Sequence, residues 1–290
     1  VYHVSGGRRT LPYLLLLPGL LWLVLFFVIP LVYMGELSLR TGSLTEGFFF
    51  NWQFSNYSNV LGDYSQQFVR SFIYAGVATL LALLIAYPLS YAISFRGGKY
   101  RNLLLFLVVA PFFTTYLIRT IAWQTILTDQ SPLVEFLASI GLSSNGRILD
   151  TPASVIAGLT YNFLPFMILP LYTSIDTLDR RLIEAAKDLY ASSKMAFLKV
   201  TLPLTAPGIV AGTLLTFIPA SGDYVNAYFL GGRNQAMIGN VIQSNYLVTS
   251  NYPDAAALAF ILMVIILILV MIYIRFAGSE ALMGDEASTT

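Results

Sequence analysis

Long stretches without a single charge alternate along this chain with short stretches where the charges gather. Thr10–Gly35, Ser71–Phe95, Thr151–Ile175 and Ala255–Ile274 carry no Asp, Glu, Lys or Arg. Asn102–Thr128 is interrupted only by Arg119, and Leu204–Tyr224 only by Asp223 near its end. A helix rises 1.5 Å per residue, so runs of about 20 residues match the roughly 30 Å hydrocarbon layer of a bilayer. The pattern predicts an all-α integral membrane protein with six transmembrane helices. Pro18 and Pro30 predict kinks or ends in the first helix. Pro207, Gly208, Gly212 and Pro219 predict an irregular fifth helix, whose backbone faces protein or water rather than lipid. Between the runs, residues 36–70, 129–150 and 225–252 read as polar, aromatic loops, and Arg96-Gly-Gly-Lys-Tyr-Arg101 as a tight basic turn. At 1.5 Å per residue Arg119 falls roughly 25 Å from that turn, at the far interface. There it is either a snorkelling arginine or a residue of a pore mouth.

Composition agrees with the pattern. Of 290 residues 57% are hydrophobic and 11% charged, where soluble domains run near 25% charged. Arg8-Arg9 before the first run could mark an export signal, but a signal core is only about 7–15 residues long. A net charge of +1 gives no reason to expect nucleic acid. With no cysteine and one histidine, His3, a thiol metal site, a histidine–zinc site and a histidine triad are all unavailable. No G-x-x-x-x-G-K-[ST] run occurs, so the chain has no P-loop for ATP.

Charge distribution sets an expected orientation. With six spans both termini share a side. If that side is cytoplasmic, the inner segments hold Arg8, Arg9, Arg96, Lys99, Arg101, Arg180, Arg181, Lys187, Lys194, Lys199 and Arg275, eleven in all. The outer segments hold four, Arg40, Arg70, Arg147 and Arg233. This excess of basic residues favours cytoplasmic termini. The chain then divides into a cytoplasmic tail (1–10), a transmembrane domain (11–275) with a cytoplasmic loop at 176–203, and an acidic tail (276–290).

That loop is the most polar stretch in the chain. Read as a helix, Leu178, Leu182, Ala185, Ala186 and Leu189 fall on one face and Arg180, Arg181, Glu184, Lys187 and Asp188 on the other. Asp179 is placed to cap it, and Ser192 or Ser193 to cap a second helix toward Pro203. Pattern alone leaves two readings open, a helix lying on the lipid surface and a docking element.

Glu184-Ala185-Ala186, followed by Val200-Thr-Leu-Pro203, resembles the EAA loop of type I ABC-importer permeases. In that family the loop is a coupling helix that docks on an ATP-hydrolysing subunit. The resemblance implies coupling roles for Arg180, Arg181, Glu184, Ala185, Ala186, Lys187 and Asp188, and for Tyr190, which stands where the family has Gly. A left-handed turn there costs a Tyr roughly 1–2 kcal/mol, so the turn is either strained or built differently. The resemblance also implies the partners. They are homodimeric or paired ATPase subunits, which use ATP and Mg, a second permease subunit and an extracytoplasmic substrate-binding protein, all at a bacterial inner membrane. No cofactor is implied on this chain itself.

Three further stretches resemble the polyamine (spermidine/putrescine) branch of the family. They are Ala110–Trp123, Leu164–Asp176 and Phe217–Val225, the last followed by Leu230-Gly-Gly232 and Ile238–Ile242. A polycation needs carboxylates and aromatic faces along its path. Asp223, Tyr224, Tyr228, Trp123, Tyr116, Arg119 and Asp254 are the residues placed to supply or border one. The competing readings are structural. Asp223 could cap a helix or pair with Arg119 or Arg233, and the tyrosines could form an interfacial belt. Related importers carry other small solutes, so the substrate stays open within the class. A stand-alone secondary transporter fits less well, because the spans lack central charges and matching halves. A membrane enzyme would need an acid–base or metal constellation that the chain does not offer.

Overall fold

The computed structural model describes residues 11–129, 131–139 and 147–277. The terminal segments with His3, Arg8 and Arg9, the acidic tail beyond Ala277, and Gly141 and Gly146 lie outside the described residues. The chain divides into two compact units, residues 1–63 with 242–261, and residues 64–241 with 262–290.

In the first unit, α1 (Leu11–Leu23) passes through a π-helical turn, Val24–Val28, into α2 (Ile29–Ser38). Pro18 and Pro30 were expected to kink or end this helix. Both lie inside a single span running to Ser38. The π turn falls just before Pro30, whose missing N–H breaks the regular i→i−4 ladder. Residues 36–70 are not an irregular loop. A hairpin, β1 (Arg40–Ser43) with β2 (Gly47–Phe50), pairs Arg40 with Phe50, and Asn56 Nδ2 holds its base through the carbonyls of Ser38 and Arg40, each at 2.9 Å. The helix α3 (Ser55–Arg96) then starts 16 residues before the charge-free run and bends at Tyr64 (φ −119°, ψ 16°). Polar residues such as Asn59, Asp63 and Gln66 hid this start, since hydropathy marks where a helix enters lipid and not where it begins. The last helix, α14 (Tyr252–Ala277), also outruns its charge-free core.

In the second unit, Ala75, Ala78, Ala82 and Ala86 form a fully buried small-residue stripe along α3. Such a stripe lets helices approach closely where lipid offers no hydrophobic drive. The neighbouring buried residues come largely from α7 (Pro152–Asp176), which Thr151 caps by accepting from the Ser154 amide at 3.4 Å. Val155, Leu159 and Phe163 pack in one cluster, Met167, Ile168 and Leu171 in another.

Two spans are broken, one of them expected to be continuous. Asn102–Thr128 becomes α4 (Arg101–Val109), a 3₁₀ turn at Ala110–Phe113, and α5 (Tyr116–Ile126), with a 93° bend between them. Pro111 lacks the donor to continue α4, and Thr114 and Thr115 are extended (ψ 137° and 138°). The fifth span begins within α9 (Ser193–Ala196), continues through a π turn and α10 (Leu202–Leu204), and bends 62° into α11 (Ala206–Ser221). Its irregularity was expected from Pro207 and the glycines. Gly208 and Gly212 let α11 lie against α7, since a Cβ on either would come within 2.5 Å of Ser174 Cβ or 2.8 Å of Met167 Sδ. The described residues thus hold four unbroken helices able to span a bilayer, or six if each bent pair counts as one.

The remaining loops are partly helical. α6 (Pro132–Ser139) lies within 129–150. The 225–252 segment contains α12 (Val225–Leu230) and α13 (Ile238–Leu247), with Leu230, Met237 and Ile238 fully buried. Ser71 Oγ accepts from the Ile238 amide at 2.7 Å.

Candidate functional site

Two groups of residues in the second unit stand out, one just beyond the C-terminal end of α7 and one near its middle. The first surrounds α8 (Arg180–Asp188). Asp179 accepts from the Arg181 amide at 2.9 Å and Ser192 from the Met195 amide at 3.3 Å, so both expected caps are present. α8 leaves its apolar side uncovered, with Leu182 48% and Leu189 82% exposed. Glu184, Ala185, Lys187 and Asp188 are exposed as well, and Ala186 is half-buried.

Tyr190 closes the helix at φ +60°. Its amide bonds to the Lys187 carbonyl at 2.9 Å, and the Ala191 amide reaches the Ala186 carbonyl at 3.0 Å. This is the pair of bonds that usually accompanies a left-handed Gly after a helix. The turn is therefore built in the ordinary way and strained by its Tyr. The ring is 99% exposed, so nothing in the chain offsets the strain by packing.

Arg180 behaves unlike its neighbours. Its Nη2 donates to the Ser94 carbonyl at 2.9 Å, and its guanidinium lies 4.8 Å from the centre of the Phe95 ring. Though exposed, it reaches back to the end of α3. Near it Arg101 binds both the Asp176 carboxylate and the Tyr172 hydroxyl.

The second group gathers where α5, α7 and α12 meet. The Tyr116 hydroxyl donates to Asp223 Oδ2, and the Asn226 amide donates to Asp223 Oδ1 at 2.8 Å. Asn226 Nδ2 reaches back to the Tyr116 hydroxyl at 2.6 Å. Asn162 Nδ2 extends the network to Asn226 Oδ1 at 3.0 Å and Thr120 Oγ1 at 3.2 Å. Asp223 is thus buried beside the start of α12, one of its two expected structural roles, and forms no ion pair with Arg119 or Arg233 among the described residues.

The roughly 25 Å expected between Arg119 and the basic turn assumed a straight helix. The 93° bend stops the rise from accumulating along one axis, and the side chain is buried. Its guanidinium lies 5.3 Å from the Phe112 ring and 5.7 Å from the Tyr116 ring. Nε and Nη1 find no hydrogen-bond partner among the described residues.

Of the other expected path residues, Trp123 packs edge-on to Tyr161 at 5.4 Å, while Tyr224 and Tyr228 are exposed. Asp254 belongs to the first unit, where it accepts from Asn251 Nδ2 at 2.6 Å. Sequence reasoning missed Asn162, Asn226 and Thr120. Asn162, a buried amide in the middle of an apolar run, was the available signal, because intramembrane polar groups are costly and need partners. Among the described residues no three His, Cys, Asp or Glu side chains gather to hold a metal ion.

Broken helices around a buried polar network, with an amphipathic helix whose apolar side is uncovered, describe a membrane permease. The chain belongs to the family of binding-protein-dependent transport system inner membrane components, which its residues 78–277 match. It is 42% identical over 256 residues to the spermidine/putrescine transport system permease protein PotB of Haemophilus influenzae, covering 88% of this chain and 90% of that protein. To the PotB protein of Escherichia coli K12 it is 37% identical, covering 88% and 93%. Among solved structures, a bacterial ABC transporter that imports the acidic polysaccharide alginate has a chain of the same fold, with TM-score 0.66 at 18% identity over 93% of this chain and 96% of that one.

Proposed function

We propose that this chain is a permease subunit of an ATP-driven importer that carries polyamines, spermidine or putrescine, across a bacterial inner membrane. The observation that carries the substrate is the 42% identity to a spermidine/putrescine permease along nearly the whole of both chains. In this reading α8 is the coupling helix. It docks on one of two ATPase subunits, which bind ATP and Mg, while a second permease subunit completes the path and an extracytoplasmic binding protein delivers substrate. Both termini lie in the cytoplasm. Closure of the ATPases moves α8 and rocks the helices between inward- and outward-open states.

Asp223 is the carboxylate for the cationic substrate, with Tyr116, Trp123, Tyr224 and Tyr228 as aromatic neighbours. Arg119, over the Tyr116 ring, sets a positive charge beside the path. Uptake of labelled spermidine and putrescine by the complete complex in proteoliposomes, driven by internal ATP, tests the substrate. Saturable uptake that each polyamine competes away is expected. Uptake of neither, with ATP hydrolysis intact, would assign the chain to an importer of another solute.

A further inference from the structure

Two charges beside the cytoplasmic loop sit at the wrong ends of their helices. Asp176 is the last residue of α7, where the helix dipole disfavours an anion, and Arg180 is the first of α8, where it disfavours a cation. Each placement weakens its own helix. Neither is explained by local helix chemistry, and both are explained by what they touch.

Asp176 takes two partners from outside α7. Arg101 Nη2 binds its Oδ2, and Ser94 Oγ donates to its Oδ1 at 3.1 Å. The other donor of Arg101, Nε, goes to the Tyr172 hydroxyl one turn earlier on α7, and the guanidinium lies 5.2 Å from that ring's centre. Arg180 takes the carbonyl of the same Ser94 and the face of Phe95. Ser94 is buried and serves both sides, its hydroxyl holding α7 and its carbonyl holding α8. Gly97 makes the approach possible, since a Cβ there would lie 2.3 Å from the Ile93 carbonyl and 3.2 Å from Arg101 Cα. Only Thr177, Leu178 and Asp179 connect α7 to α8.

We infer that Arg101, Asp176, Ser94 and Arg180 form a strut that fixes α8 to the cytoplasmic ends of α3, α4 and α7. A push on α8 then reaches three membrane helices as one body instead of being absorbed by the three-residue linker. Arg180 is in this account a positioning residue and not a docking contact. The inference rests on the reading of α8 as the helix that docks on the ATPase.

Because the chain has no cysteine, Lys99→Cys and Leu189→Cys give spin-label sites unique within it, at the basic turn and at the end of α8. In the assembled complex the distance distribution between them should be narrow and keep its shape with and without ATP. Arg180→Ala and Asp176→Asn should broaden it and lower transport per ATP hydrolysed by about 3- to 10-fold, the range in which single residues tune coupling, with the ATPase still bound. Arg180→Lys, which can still reach one carbonyl, should restore most of both. A distribution as narrow as the parent's, with unchanged transport per ATP, in both the Arg180→Ala and Asp176→Asn complexes would overturn the strut. So would loss of the bound ATPase in Arg180→Ala, because Arg180 would then be a docking contact. Glu184→Lys separates the two ideas. If it keeps the ATPase bound and transports normally, the docking reading fails, while the distance measurement still decides whether α8 is fixed to the bundle.

Discussion

Tyr190 shows how much one backbone angle says. A side chain at φ +60° that packs on nothing in the chain holds a strain that Gly would not. Tyr190→Gly should raise thermal stability by about 1 kcal/mol, read as a higher melting temperature of the assembled complex, and retain coupled transport. Severe loss of assembly would mean that a partner subunit holds the ring. Asp223 is the opposite case, a side chain with every contact inside the chain. Asp223→Asn removes the charge with little change of shape. It should weaken the Tyr116 and Asn226 bonds by about 1–2 kcal/mol, as loss of a charge-assisted bond does. If the carboxylate serves the substrate, the assembled complex should also transport several-fold more slowly. Unchanged transport in a well-assembled complex would leave Asp223 as a helix-start anchor alone.

At the scale of elements, α8 is the helix whose chemistry was most legible beforehand. Its two-faced pattern and both of its capping residues could be read from spacing, because an amphipathic helix writes its period into the chain. Glu184→Lys should uncouple or release the ATPase while the chain still inserts in the membrane, since losing one partner of a desolvated charge pair costs ~2–5 kcal/mol. Ala185→Trp should do the same by preventing close seating in a groove. Co-purification of the ATPase and substrate-stimulated hydrolysis measure both. Parent-like behaviour of both variants would make α8 a membrane-surface helix. Less could be read of α3, α4 and α5. Hydropathy averages over a window and does not register Thr114–Thr115, where two extended residues turn one apparent span into two pieces. Nor could sequence bring Ser94 to Arg180 or Tyr116 to Asp223, because those contacts join positions 86 and 107 residues apart. α7 connects the two sites. Asn162 and Asp176 lie on it about 21 Å apart along its axis, so one helix, with Pro165 and Pro170 inside it, runs from the buried network to the strut.

For the whole molecule, the charge-free runs, their charged connections and the irregularity of the fifth run were legible, and the sharp break in the third was not. The expected orientation rests on eleven basic residues against four. Reporter fusions within 129–150 and at the C-terminus should report opposite sides of the membrane. Agreement of the two would sink the six-span topology.

The sharp turn between α4 and α5 also bears on how the protein is made. Eleven residues of helix rise only about 16 Å, half of a bilayer's apolar depth, and α5 carries a buried arginine. An isolated segment of that length and polarity partitions poorly from a translocation channel into lipid. Its stable place comes from α7 and α12, which are synthesised later. The expected outcome during biogenesis is that α5 settles by tertiary packing only once α7 and α12 have been made.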